Sequence, residues 1–132
     1  DMEFEVRWRV DPILPVDRWQ DIYREFLCGA AADGHRPARI TLGTYREMGR
    51  SLLTIAAKWG LPPMEFIPGE LHKDGMHYHL PDEQRIDIYR QLSDFITMAW
   101  QRSGHQPIIA LCKETRTIRE ALGMTHSHCN CE

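Results

Sequence analysis

The sequence predicts an α/β fold, a partial parallel-sheet, half-barrel-like domain with the order β-α-β-α-loop-α-β-α. Three observations carry that expectation. The stretch "MEFEVRWRV" alternates polar and apolar residues with the period of a strand, later segments repeat apolar residues at the helical spacing of three and four, and "QPIIALCKE" is a nearly unbroken apolar run. Such a run fits a strand buried on both faces of a parallel sheet. At 132 residues the chain is long enough for one domain. Residues 1–123 read as that domain, and 124–132 as a tail rich in histidine and cysteine.

In the first strand Phe4, Val6, Trp8 and Val10 share one face, while Glu3, Glu5, Arg7 and Arg9 share the other. Four charges on one face imply an edge strand or a wet interior. Pro12 and Pro15 end the strand, since proline supplies no ladder donor. Asp17 and Gln20 then read as a capping box ahead of a helix bearing Trp19, Ile22, Tyr23, Phe26 and Leu27. "ARITLG" is a short strand. Thr44 and Glu47 repeat the capping pattern, opening a second helix with Leu52, Leu53, Ala56 and Trp59 as its stripe and Gly60, Pro62 and Pro63 as its stop. Residues 60–81 form a long loop with a short strand at "MHYHL". A long helix from Asp82 to Arg102 follows, then the apolar strand and a short helix, "TRTIREALG". This alternation implies parallel strands joined by right-handed crossovers. Three such strands are few, and the chain starts at Asp1 instead of Met, so the expected partner is a missing N-terminal half or a second copy of the chain.

A net charge of −3 argues against a surface coated for nonspecific nucleic-acid binding. No apolar run approaches the roughly 20 residues of a membrane span, and the N-terminus lacks a signal-peptide pattern, so a cytoplasmic protein with reduced thiols and no membrane partner is expected.

Ligands of parallel α/β sheets gather at the carboxyl ends of the strands. There lie Arg9 and Asp11, then "TLGTYRE", then "LCKET". Gly43 and a capped helix start would suit an anion, with Tyr45 and Arg46 one turn inside. "LHKDGMHYH" gathers His72, Lys73, His77, Tyr78 and His79, a mixture of basic groups and rings suited to phosphates and bases. In "LCKE", Cys112 reads as a small buried residue and Lys113 with Glu114 as an exposed pair. The tail "GMTHSHCNCE" carries His126, His128, Cys129 and Cys131, which have the chemistry of zinc ligands. Within six residues the two pairs cannot easily share one ion, so a zinc site needs help from His77, His79 or Cys112; the other reading is an exposed terminus. No nucleophile elbow, phosphate-binding glycine loop or GxGxxG is present.

Taken in order, "FEVRWRVDPILPVDRWQDIY", "RITLGTYRE", "KDGMHYHLPDEQRIDIYRQL", "IALCKET" and the closing "CNC" resemble the C-terminal half of spore photoproduct lyase-like proteins of the radical SAM superfamily. The resemblance spans most of the chain. It implies a partial α/β barrel, a [4Fe–4S] cluster held by a CxxxCxxC motif, S-adenosylmethionine as the radical source, and a thymine-dimer lesion in DNA as substrate in the lyase itself. The chain holds no CxxxCxxC. The resemblance therefore implies that cluster and cofactor are bound by residues N-terminal to Asp1, and that this chain supplies barrel strands and substrate contacts from Arg9, Tyr45, Arg46, Lys73 and Tyr78. Without the resemblance, a non-enzymatic zinc-binding or interaction module is the alternative.

Overall fold

The computed structural model describes residues 4–48, 51–61 and 71–125. Strand β1 (Arg7–Ile13), helix α1 (Trp19–Ala32) and strand β2 (Arg39–Thr44) form the first crossover, with β1 and β2 parallel and Trp8 level with Ile40. After the short strand β3 (Arg46–Met48) and helix α2 (Ser51–Lys58) come a hairpin of β4 (His72–Asp74) and β5 (His77–His79) and the long helix α3 (Asp82–Gln101). Strand β6 (Ile108–Leu111) then joins β2 in parallel, and α4 (Arg116–Leu122) follows. The result is a mixed α/β fold with a three-stranded parallel sheet, β1-β2-β6, and a three-stranded antiparallel sheet, β3-β5-β4. It is not a closed barrel.

Helices α1 and α3 pack on each other and share one core with the sheet. Trp8, Val10, Ile13, Ile40, Leu42, Ile109 and Leu111 meet Leu27, Ile88, Leu92, Ile96 and Trp100 there. Because strand side chains alternate, the register places the remaining residues on the opposite face. Arg7, Arg39 and Ile108 form one row and Arg9, Thr41 and Ala110 the next; beyond them the β1–β2 register shifts, with the Asp11 carboxylate lying against Gly43 and Arg9 reaching Cys112. The helix-covered face is apolar; the other is largely polar.

The long helix spans what its periodicity predicts, and α4 has the expected ends. Thr115 Oγ1 accepts from the Ile118 N–H, and Gly123 closes the helix at a left-handed φ of 67°. Other expectations need correction. Helix α1 forms, but its cap residue is Arg18, and no side chain caps it. The backbone does that work, with the Trp19 N–H donating to Val16 O and the Ile22 N–H to Arg18 O.

Thr44 and Glu47 do not open a helix either. The Thr44 N–H donates to the Tyr89 hydroxyl and the Tyr45 N–H to Ile13 O, so the chain stays extended into β3, and the helix begins at Ser51. The expected long loop contains a hairpin turning at Gly75 and Met76, with Gly75 at φ 61°. Residues 62–70 of it lie outside the described residues. The order β-α-β-α-loop-α-β-α therefore gains a second sheet. Strand β6, expected to be buried on both faces, lies at the edge of the described sheet, and its Ile108 is 55% exposed. Of the expected stripe in α2, Ala56 is buried but Trp59 is exposed.

Candidate functional site at the strand ends

Two arginine–carboxylate clusters stand where the parallel strands end. The first is built around Asp11, whose Oδ1 and Oδ2 accept from Nη1 and Nη2 of Arg46 at 3.1 and 3.0 Å. This two-point contact fixes the plane of the guanidinium. Arg9 Nη1 adds a third bond to Asp11 Oδ2 at 3.1 Å and lies 3.1 Å from Cys112 Sγ, with Arg46 Nη2 at 3.8 Å from the same sulfur. Gly43 makes the cluster possible. A Cβ there would lie 2.7–2.9 Å from the Asp11 carboxylate, so only glycine lets the carboxylate lie across β2. Burial works against the Arg46 charge, but the hydrogen bond and charge of Asp11, with smaller contributions from Cys112 and Tyr89, leave its pKa above the ordinary guanidinium value. Arg46 is thus a fixed cation that still keeps 30% of its side chain exposed.

The second cluster is buried. Glu114 accepts from Arg85 Nη1 at 2.6 Å and, through its other oxygen, from the Tyr89 hydroxyl. Arg85 Nη2 reaches Asp82 Oδ1 at 2.6 Å. Burial pushes the Tyr89 phenol well above its ordinary range, and the neighbouring Glu114 carboxylate pushes it further. Tyr89 therefore stays protonated, and its hydroxyl joins β2 to Glu114. Lys113, between the clusters, is held at a φ of +50°, a conformation that strains a residue with a Cβ.

A cavity of about 460 Å³ lies between these strand ends and the small sheet. Thr44, Arg46, Lys113 and Glu114 line one side, and Asp74, His77 and His79 line the hairpin side. The register of β3-β5-β4 accounts for the hairpin side. Arg46 is level with His79 and Met48 with His77 and Asp74, while in the alternate row Tyr78 and Lys73 do not line the cavity and Glu47 does.

Of the residues expected at a site, Arg9 and Arg46 therefore meet, through Asp11. Tyr45 is buried, and its hydroxyl donates to Glu47 Oε2 at 2.7 Å. Lys73 and Tyr78 sit in the row facing away from Arg46. Lys113 is exposed as expected. Glu114 is not: its side chain is 3% exposed, because Arg85 and Tyr89 neutralise and enclose it. Asp11, expected at a strand end, is there, and Arg85 and Tyr89 are site residues that sequence reading missed. Arg85 carries a partial signal, since Asp82 precedes it by the helical spacing of three.

His126, His128, Cys129 and Cys131 lie outside the described residues. Cys112, one proposed helper for a zinc ion there, has two guanidinium groups beside its sulfur, a poor setting for a second cation. Among the described residues no group of three or more His, Cys, Asp or Glu side chains is placed to hold a metal ion. Nor do these residues fit an iron–sulfur cluster. Their two cysteines are Cys28, exposed on α1, and Cys112, buried at the end of β6. The chemistry available here is binding and orientation of a charged group. No helix among the described residues is long and apolar enough to cross a membrane.

Compared with known proteins, the chain matches no family model, no curated protein and no solved structure.

Proposed function

We propose that this chain is the C-terminal portion of a cytoplasmic spore photoproduct lyase-like radical SAM protein, supplying half-barrel strands and the contacts to a DNA-lesion substrate. The observation that carries the reading is the polar face of the parallel sheet. Its strands follow one another in the order β1-β2-β6, both crossover helices lie on one side, and the other side bears Arg7, Arg9, Asp11, Arg39 and Thr41. A surface of that kind suits the lumen of a barrel, where polar groups hold ligands at the carboxyl ends of strands. Further parallel strands from the preceding polypeptide would pair with the free edge of β1. In this reading the [4Fe–4S] cluster and S-adenosylmethionine belong to that preceding part, since this chain holds no CxxxCxxC motif.

Arg46 and Arg9 are then the substrate contacts from this half. Arg46 is charged and oriented before substrate arrives, which lowers the cost of engaging an anionic group. Tyr45, being buried, positions Glu47 and does not touch substrate. Lys73 and Tyr78 would meet only a substrate long enough to wrap around the hairpin, as a DNA strand is.

The reading is tested by binding of a lesion-bearing oligonucleotide to the protein extended by its upstream coding segment. Replacing Arg46 by Ala should weaken binding about tenfold or more, the worth of a charge-assisted bond to phosphate, and Lys73→Ala should weaken it less. Unchanged binding in the Arg46→Ala/Lys73→Ala double variant would remove DNA as the ligand of this half.

A further inference from the structure

At the opposite end of the sheet from the strand-end cavity, Trp8, Phe26 and His35 line an open surface cavity of about 370 Å³ with Glu25 and Asp33 at its wall and Gly29 along its helical side. We propose that this cavity is a binding site for a guanidinium group, as carried by arginine and related organic cations. The inference is independent of the proposed role of the strand ends.

Three features of the cavity select that chemistry. The first is an aromatic wall. The Trp8 ring lies 6.2 Å from Phe26 and 5.8 Å from His35, centroid to centroid, with interplanar angles of 40° and 57°. At these separations the rings pack on one another and together form one aromatic wall of the cavity, and a cation within about 6 Å of a ring face is attracted to it. The second is uncompensated negative charge. Among the described residues neither Glu25 nor Asp33 has a cation partner, whereas Asp21, on the same helix, is paired with Arg18 and Arg24. The third is rigidity. Trp100 packs edge-on to Trp8 with centroids 5.9 Å apart, and its indole N–H donates to the His35 carbonyl at 2.7 Å. Two of the three rings are therefore set by the core before any ligand binds.

Together these features favour guanidinium over ammonium. A planar cation can stack on Trp8 while its N–H groups reach carboxylates in its own plane, which a compact ammonium cannot do at once. Gly29 leaves the helical side open, since a Cβ there would meet nothing within 4 Å.

The test is a chemical-shift titration of the isotope-labelled chain with ethylguanidinium, ethylammonium and tetramethylammonium, each kept below the concentrations at which guanidinium salts unfold proteins. The Trp8 indole and His35 ring signals should move saturably with ethylguanidinium, and ethylammonium should bind about fivefold or more weakly. Phe26→Ala and the double variant Glu25→Gln/Asp33→Asn alter exposed side chains and should each weaken ethylguanidinium binding about three- to tenfold, with the remaining spectrum unchanged. Absence of saturation, or binding that survives both variants, would overturn the proposal. Tetramethylammonium binding as tight as ethylguanidinium would overturn it too, because that cation has no N–H to offer the carboxylates.

Discussion

Arg46–Asp11 and Arg85–Glu114 are both arginine–carboxylate pairs at the carboxyl end of the same parallel sheet, but they differ in exposure. The Arg85 and Glu114 side chains are 4% and 3% exposed, against 30% for Arg46 and 10% for Asp11. A pair removed from water gains little net stability from its attraction, yet loses much if one partner is deleted, because the other charge is stranded. A pair that keeps one face in water contributes little either way. The buried cluster is therefore scaffold: it fixes the turn after β6 and, through Tyr89, the end of β2. Both clusters border the strand-end cavity, and the half-exposed one, through Arg46, offers a ligand the more accessible charge.

The largest expected effect is at the scaffold. Glu114→Ala leaves Arg85 buried with only Asp82 and leaves the Tyr89 hydroxyl without its acceptor, and should cost about 3–5 kcal/mol in denaturant unfolding. A cost under about 1 kcal/mol would show that water reaches this pair, ending the distinction between the two.

The same cluster has an alkaline signature. Unfolding frees a phenol that ionises near pH 10, while the fold holds Tyr89 protonated above that, so the unfolded state gives up its proton first. The contribution is fully present below about pH 10 and declines as pH rises past it. Ultraviolet difference titration of the folded protein should therefore show a phenol ionising well above pH 10, a signal that Tyr89→Phe removes.

Gly43→Ala acts on the half-exposed cluster from beneath. Its Cβ would occupy the space of the Asp11 carboxylate, so the cost should be about 1–3 kcal/mol, with Arg46 freed from its two-point hold. Wild-type stability in that variant would mean that Asp11 has another resting place.

Arg46→Ala should be the mildest for folding, at about 1 kcal/mol or less, since Asp11 keeps Arg9. Its effect should appear in ligand binding instead. A large stability loss without a binding loss would make this pair scaffold as well.

The sequence makes visible those elements that rest on local periodicity: the alternation of β1, the helix from Asp82, and the threonine and glycine that bound α4. Where local and distant demands compete, it misleads. Thr44 and Glu47 have the spacing of a capping box, but the Thr44 N–H is taken by Tyr89, 45 residues away. At the site, Arg46 is legible because it follows a glycine at a strand end. Asp11 is legible as a strand-end residue, but its pairing with Arg46, 35 residues on, is not, because their meeting depends on the pairing of β1 with β2 and on a missing Cβ at Gly43. Glu114 next to Lys113 looks like any solvated pair, and nothing local announces that Arg85 will cover it.

The central claim, that the polar face of β1-β2-β6 is half of a radical SAM lumen, is tested most directly by reductive cleavage of S-adenosylmethionine. The assay uses iron-loaded protein translated together with its upstream coding segment. The account predicts cleavage in the wild type, with Arg46→Ala keeping the iron content but uncoupling cleavage from turnover of lesion-bearing DNA. Failure of the extended protein to hold iron or to cleave the cofactor would contradict it.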